Sequence, residues 1–450
     1  MRRGFVFDAG LCVSCKACSA ACILENGLQP GTREIFTWNE GALPLLGVIS
    51  LSLACNHCEE PACAEGCPAS AYTIDSDGVV IHHPDRCMGC GYCTWRCPYG
   101  APKINEAKGY IEKCHLCHER VAEGMEPACV TACPTGALKF AEQDTFDPVN
   151  VEWFPETGIG PSLILRGADN SAGPVIIPSE ALYDREEEEE EEVQDTAPGR
   201  LRKEWSLLVF SLLVISASAL MIFSALKGTP LPGMLQFLLL AGAMAVSVAH
   251  LGVPRKAWRA VLNIISSPLS REIAMTGLLT AVALANWIAP GLIPPLIGGI
   301  IALLTLISID LVFFAADRSL RLRLHSGQAF FSGIYAVSWF VEPGIIFLAF
   351  SMLAAISVVM RYGSAEKAPL VRNLYYFRAM ALPLVFLLLY PGSAVTETMA
   401  MVLFLAGIAA DRVLFYFDFN PVNIKDTKSE HFNSAYEKER DKQRQDAGLS

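Results

Sequence analysis

Sixteen cysteines lie between Cys12 and Cys133 of this 450-residue chain, and none lies beyond them. They fall into four groups: Cys12, Cys15, Cys18 and Cys22; Cys55, Cys58, Cys63 and Cys67; Cys87, Cys90, Cys93 and Cys97; and Cys114, Cys117, Cys129 and Cys133. Three of the four groups end in Cys-Pro, at Pro68, Pro98 and Pro134. Closely spaced thiolates wrap one side of an iron–sulfur cubane, while a fourth cysteine three residues further on points toward a second cluster. The spacing therefore predicts clusters in pairs, and sixteen thiolates suffice for four [4Fe–4S] clusters with none left over. Cys-x2-Cys pairs also build tetrahedral zinc sites, but zinc has no use for a third thiolate as close as Cys18 or Cys93. A disulfide scaffold needs an oxidising compartment. The N-terminus Met1-Arg2-Arg3-Gly4-Phe5-Val6-Phe7-Asp8 lacks the apolar core of a secretory signal.

These groups must be held by a small loop-rich α+β domain, here placed at 1–165. Its short strand-like pieces include Val79-Val80-Ile81 after the turn Asp75-Ser76-Asp77-Gly78. Residues 166–203 carry Gly, Pro, Ser and seven consecutive glutamates, Glu186 to Glu192, and read as a solvated acidic linker. The glutamates supply much of the net charge of −11. With no basic footprint, nucleic-acid binding is a poor reading.

With 52% hydrophobic residues and a mean hydropathy of +0.36, the chain is too apolar for an ordinary soluble protein. Long apolar runs from 204 to 418 predict an all-α polytopic membrane bundle, followed by a polar tail at 419–450. About eight transmembrane helices fit, near 205–226, 233–251, 271–289, 293–316, 326–341, 344–361, 374–390 and 396–417, with 326–361 broken only at Glu342-Pro343-Gly344. On that count Arg200, Arg202, Lys203, Arg255, Lys256, Arg259, Arg318, Arg321, Arg323, Arg361, Lys367 and Arg372 share one face, and Lys227 faces the other. Positive charge collects on the cytoplasmic side, so both termini and the cysteine domain are expected there.

Titratable residues within membrane segments are costly and become functional candidates. His250 closes the second expected span and Glu272 opens the third, both toward the basic side. Oxidising a quinol releases two protons with two electrons, which calls for an imidazole or a partly buried carboxylate near an electron acceptor. The plainer reading has His250 ending a helix and Glu272 pairing with Arg271 at the interface. Asp310 and Arg412 also lie inside spans, where interhelical hydrogen bonding or snorkelling outweighs a proton path. His250 and His325, the histidines of this half before the tail, both lie near an interface, so a bis-histidine haem is not expected.

Three stretches carry a resemblance: Ser52-Leu53-Ala54-Cys55-Asn56-His57-Cys58, Cys87-Met88-Gly89-Cys90-Gly91-Tyr92-Cys93-Thr94-Trp95-Arg96-Cys97-Pro98-Tyr99-Gly100 and Pro127-Ala128-Cys129-Val130-Thr131-Ala132-Cys133-Pro134. Residues 1–165 are thereby similar to the iron–sulfur subunit of dimethyl sulfoxide reductase-type molybdoenzymes. The resemblance implies a ferredoxin-like domain of two paired two-cluster modules, cross-wired between groups. It implies that Cys12, Cys15 and Cys18 share a cluster with Cys133, and Cys114, Cys117 and Cys129 with Cys22. It likewise implies Cys55, Cys58 and Cys63 with Cys97, and Cys87, Cys90 and Cys93 with Cys67, the last cluster nearest the membrane. Some relatives replace the second cysteine of the third group and hold a [3Fe–4S] cluster; Cys90 is present here, so a full cubane is expected. With the thiolate count complete, His57, His115 and His118 are expected to be neighbours of the ligands or solvent-facing.

The run His250-Leu251-Gly252, Pro254, Arg259-Ala260, Asn263 and Leu269-Ser270-Arg271-Glu272-Ile273 resembles the membrane anchor of the same reductases, in which the matching His and Glu belong to the menaquinol site. Gly407, Arg412 and Phe415-Tyr416 match that anchor's last helix. The chain thus reads as a fusion of two subunits in the cytoplasmic membrane of a prokaryote. It would take electrons from the menaquinone pool and pass them to a molybdenum bis-pterin catalytic subunit that reduces an S-oxide or N-oxide in anaerobic respiration. Two alternatives stay open, reverse flow into quinone and a non-catalytic membrane redox sensor. Well-known relatives face the periplasm, against the positive-inside charge of this chain.

Overall fold

The computed structural model describes residues 1–40, 45–147, 149, 151, 154, 157–167, 175–176, 197–228, 233–316, 329–330, 332–334, 337, 372–378, 380–381, 385 and 394–418. It divides into two compact units between Glu192 and Val193.

The first unit runs β1 (Arg2–Asp8), α1 (Ala17–Asn26), β2 (Glu34–Glu40), β3 (Leu45–Leu53), α2 (Ala62–Glu65), β4 (Tyr72–Ile74), β5 (Val80–His82), α3 (Tyr92–Arg96), β6 (Lys103–Asn105), β7 (Tyr110–Glu112), α4 (His118–Ala122), α5 (Ala128–Thr131), β8 (Leu138–Gln143), β9 (Leu163–Arg166) and β10 (Val175–Ile176). β1 is the middle strand of its sheet, antiparallel to β8 and parallel to β9. Phe5 and Phe7 alternate inward from it into a core shared with Leu51, Leu116, Leu138 and Leu163. Gly4 is required by close approach, because a Cβ there would overlap the carbonyl of Ser162.

The two sheet-forming ends of the unit are brought together by β1 and β8, so the chain returns on itself around the middle segment. α1 packs on α5 and α2 on α3. Elements 114–143 therefore complete what 2–26 begins, and 55–97 form an inserted module with its own hairpin, β4 with β5. The turn before β5 is an Asx turn, in which the Asp75 carboxylate accepts from the N–H groups of Asp77 at 3.0 Å and Val79 at 2.7 Å. The strand itself starts at Val80, one residue after the sequence-based start.

The second unit is helical: α6 (Ala197–Lys227), α7 (Gly233–Val248), a short 3-10 segment (Pro254–Val261), α8 (Pro268–Ile288), α9 (Pro295–Ala316) and α10 (Ala394–Asp418). α6 packs on α7, α9 and α10, and α8 on α7 and α9. Ser267 caps α8 by accepting from the Ser270 N–H at 3.4 Å, with Pro268 in the first turn. The helix thus starts before the expected 271, which places Glu272 inside its first two turns. α7 ends at Val248, so His250 lies just past a helix end. α6 begins at Ala197, inside the stretch read as linker.

α9 explains why this unit needs lipid. Gly298, Gly299, Ala302, Leu306 and Ile309 are buried, while Leu296, Ile300, Leu304, Leu311 and Phe314 stand outward and exposed. A helix apolar on both faces has no stable partner in water on its outer side. Among the described residues two helices are long and apolar enough to cross a membrane, Trp205–Lys227 and Pro295–Ala316, each with a mean hydropathy of 2.5. Eight spans were expected; α7 has 16 residues and is shorter, and most of 326–341, 344–361 and 374–390 lies outside the described residues.

The α6–α9 contact depends on small residues, as helix packing in lipid generally does. A Cβ on Gly299 would meet the Ala225 Cβ at 2.5 Å. Gly299→Leu is expected to cost about 1–3 kcal/mol by overpacking. The midpoint of thermal unfolding in detergent should fall; an unchanged midpoint would mean that the two helices separate freely at this level.

Candidate metal centres

Four cavities in the first unit are each lined by four cysteines. Cys12, Cys15, Cys18 and Cys133 line the first cavity. Cys22, Cys114, Cys117 and Cys129 line the second. Cys55, Cys58, Cys63 and Cys97 line the third, and Cys67, Cys87, Cys90 and Cys93 the fourth. These are the four sets that the resemblance implies. All sixteen cysteines are free thiols. Among the described residues no three Cys, His, Asp or Glu side chains converge on one point as a single metal ion needs. Sulfurs spread around a void suit a polynuclear cluster better than zinc.

The loops that carry the sulfurs share one backbone device. The residue before the second cysteine of each group is left-handed: Ser14 at φ 54°, His57 at 43°, Gly89 at 70° and Leu116 at 61°. Three of these four are not glycine, and left-handed backbone costs an ordinary residue about 1–2 kcal/mol. The return is a backbone N–H turned toward sulfur. Gly89 donates to Cys87 Sγ at 3.4 Å and Leu116 to Cys114 Sγ at 3.3 Å, and Ser14 does the same for Cys12. Ala71 donates to Cys67 Sγ at 3.3 Å. Concave runs of N–H groups are a recurring seat for phosphates and iron–sulfur clusters.

Burial sets the protonation of the cavities. It pushes the Cys22 and Cys97 thiols up to about 11 and Cys90 to about 12. Cys63 and Cys114 rise further for the same reason. At Cys133 burial is outweighed by the N–H groups of Leu138, Thr135 and Ala137 and by the Thr135 hydroxyl, which hold the thiol below its usual range. Adjacent cavities are close enough to interact electrostatically: Cys18 with Cys129, Cys114 with Cys55, and Cys93 with Cys63. The four cavities thus form a row in the order first, second, third, fourth.

The row is lined by residues that sequence reasoning overlooked. Lys113 is 3% exposed and Arg33 2%. Burial works against the charge of Lys113, but coupling to the titration of Cys55, Cys63 and Cys114 and its hydrogen bond to Cys55 raise its pKa. Arg33 is balanced in the same way by Cys129, Cys114, Cys18 and Cys22. Tyr72 lies against the fourth cavity, its hydroxyl pKa raised by burial and by Cys93, Cys63 and Cys67. Nothing in the sequence separates a buried Lys113 from a solvated one, apart from its place beside Cys114. Of the three histidines, His57 is fully buried and its Nδ1 accepts from the Val80 N–H at 3.1 Å. Burial and the nearby Lys113 keep it neutral. His115 is half-buried and lines the second cavity, and His118 is exposed.

In the second unit the polar candidates lie at helix ends and between helices. Glu272 is 6% exposed and within electrostatic reach of Arg412 and Asp310. No hydrogen bond or ion pair joins it to His250 among the described residues. The His250 ring lies against the backbone of Ser247, and its buried Nδ1 has no hydrogen-bond partner among the described residues. Arg271 donates to the backbone carbonyls of Ile264, at 2.9 Å, and Ile265 rather than to Glu272. Asp310 accepts from the N–H groups of Ala329 and Phe330, both at 2.8 Å, an interhelical bond. Arg412 Nε donates to Ser211 Oγ at 3.0 Å, tying α10 to α6, and its guanidinium lies 4.7 Å from the Phe415 ring centroid.

Comparison with known proteins agrees with this division. Residues 47–143 match the 4Fe-4S dicluster domain, and residues 201–316 match the DMSO reductase anchor subunit (DmsC). The sequence is 41% identical over 155 residues to the B subunit of the anaerobic dimethyl sulfoxide reductase of Escherichia coli K12, covering 31% of this chain and 74% of that protein. It is 38% identical over 152 residues to the B subunit of the polysulfide reductase of Wolinella succinogenes, covering 33% of this chain and 78% of that one. Against the formate dehydrogenase iron–sulfur subunit of the same organism it is 33% identical over 184 residues, 35% of this chain and 90% of that protein. A cysteine domain with four cavities each lined by four cysteines, joined in one polypeptide to an apolar helical anchor, accounts for both matches: the protein belongs to the iron–sulfur subunit family of the dimethyl sulfoxide reductases, fused to their anchor domain.

Proposed function

We propose that this chain oxidises menaquinol in its membrane half and passes the electrons through four [4Fe–4S] clusters to a molybdenum bis-pterin catalytic subunit that reduces an S-oxide or N-oxide acceptor. The observation that carries the reading is the row of four cavities, each lined by four thiols. When bound, the clusters accept and release single electrons. The chain's own residues do the rest. The sixteen cysteines ligate, the N–H groups of Gly89, Leu116 and Ala71 hold charge on sulfur, and the buried core excludes water from the row. In the membrane half His250 offers a nitrogen without a hydrogen-bond partner among the described residues and Glu272 a buried carboxylate. Each can accept one of the two quinol protons.

Reverse flow, with a partner oxidising a donor and this chain reducing quinone, is favoured by the likeness to a formate dehydrogenase iron–sulfur subunit. A sensor without quinol chemistry is the remaining alternative. Basic loops on one face support a cytoplasmic position for the cysteine domain.

Three outcomes test this reading. Ligation needs thiolates, and burial holds Cys22, Cys97 and Cys90 protonated well above neutral pH. Cluster insertion should therefore release protons. The yield of anaerobic reconstitution with iron and sulfide should rise from about pH 7 to about pH 8.5, read from iron-dependent absorbance. A reduced menaquinone analogue should bleach that absorbance in the purified chain. Glu272→Gln and His250→Ala should slow the bleaching by roughly tenfold or more, in line with loss of a positioned acid–base group, while leaving iron content intact. Bleaching at the normal rate in both variants removes them from the site, and no bleaching in the parent chain favours the sensor. Protease added outside sealed right-side-out vesicles should leave the 166–203 linker uncut, and cleavage there would put the cysteine domain on the opposite face.

A further inference from the structure

Two cations, Lys113 and Arg33, are buried in the cysteine row. Lys113 Nζ donates to Cys55 Sγ at 3.4 Å, to the Val80 carbonyl at 2.5 Å and to the Cys114 carbonyl at 2.8 Å. Arg33 Nη1 donates to Ser52 Oγ at 3.1 Å, the guanidinium sits 4.5 Å from the Phe5 ring centroid, and Nε and Nη2 are buried without hydrogen-bond partners among the described residues. Ser52 Oγ lies in turn 3.3 Å from Cys18 Sγ. No salt bridge to an acid reaches either cation among the described residues. An unpaired buried charge is among the most destabilising features a core can hold. Here the neighbouring negative charge is sulfur: Cys18, Cys22, Cys114 and Cys129 around Arg33, and Cys55, Cys63 and Cys114 around Lys113.

Their positions differ in a useful way. Arg33 lies between the first and second cavities and Lys113 between the second and third. At the third-to-fourth junction stands the neutral Tyr72. A cluster ligated by four thiolates is an anion, and reduction makes it more negative. A cation held nearby in a weakly screening interior favours the reduced form and raises the midpoint potential.

Resting on the reading that the cavities hold [4Fe–4S] clusters, we propose that Arg33 and Lys113 are built-in counter-charges of the electron path. Arg33 raises the potentials of the first and second clusters, and Lys113 raises those of the second and third. The fourth cluster, on the quinol side by resemblance, owes its potential to neither. Both residues position charge; neither exchanges electrons or protons.

The test is a mediated redox titration of the full chain, followed by electron paramagnetic resonance, for the parent and for Lys113→Met, Lys113→Gln, Lys113→Arg, Arg33→Met, Arg33→Gln and Arg33→Lys. Each neutral variant should lower two of the four midpoint potentials, with at least a tenfold smaller reduced-to-oxidised ratio at fixed ambient potential, about 59 mV for a one-electron couple. In the double neutral variant three potentials should fall, one of them by the combined amount, and the fourth should stay. The charge-keeping variants should titrate close to the parent. Potentials that do not move in fully iron-loaded neutral variants, or four that move together, overturn the proposal. So does a set in which both neutral variants at one position lose iron and the charge-keeping one does not, because that residue is then required for assembly. A parent chain without four cluster signals sinks the cluster reading instead, which keeps the two failures apart.

Discussion

Thiols from distant parts of the chain must share a cavity, and most of the first unit follows from that requirement. Cys133 closes a cavity begun by Cys12, Cys15 and Cys18, while Cys22 closes one formed by Cys114, Cys117 and Cys129. Only a chain that returns on itself can meet both conditions. The β1–β8 pairing and the α1–α5 contact are that return. Most of the helices are short and carry one or two of the sulfurs, and the loops between them accept left-handed backbone at Ser14 and Leu116, which turns their N–H groups toward sulfur. With so much of the interior given to cavities, the apolar core is a thin layer of Phe5, Phe7, Leu51, Leu116 and Leu138 against the sheet.

The second unit obeys the opposite constraint. In lipid its outer side chains gain nothing from leaving solvent, so contact between helices relies on close approach at Gly299 and on buried polar links such as Asp310 to the 329–330 backbone and Arg412 to Ser211. Glu272 lies in the field of Arg412 and Asp310. Arg412 also ties α10 to α6 through Ser211, so a change at Arg412 would alter both the packing and the field at Glu272.

Much of the first unit was legible because cysteine spacing is a chemical statement. Tight triplets and Cys-Pro endings point to clusters before any fold is known, and family resemblance, not spacing, supplied the sets that line each cavity. Lys113 and Arg33 were illegible. Lysine and arginine are ordinarily solvated, and only burial between sulfur sets distinguishes these two. In the membrane half hydropathy locates α9 within two residues at each end and the α6 end within one, but not the starts of α6 at Ala197 or of α8, where Ser267 and Pro268, a cap and a first-turn proline, carry no hydropathy signal. The joint placement of His250 and Glu272 rests on helix ends and resemblance, and the fields of Arg412 and Asp310 at Glu272 carry no sequence signal.

The interlocked order of the cysteine groups sets a timetable for maturation. A polypeptide emerging from the ribosome presents every ligand of the third and fourth cavities once Cys97 has been made. The first and second cavities wait for Cys114 through Cys133, although Cys12 through Cys22 were the first thiols to appear. The ligand sets of the third and fourth cavities are thus complete first in the order of synthesis, and those of the first and second only afterwards. In the interval the N-terminal thiols remain unliganded, so an assembly chaperone or an oxidant would find them, and not the middle groups, waiting.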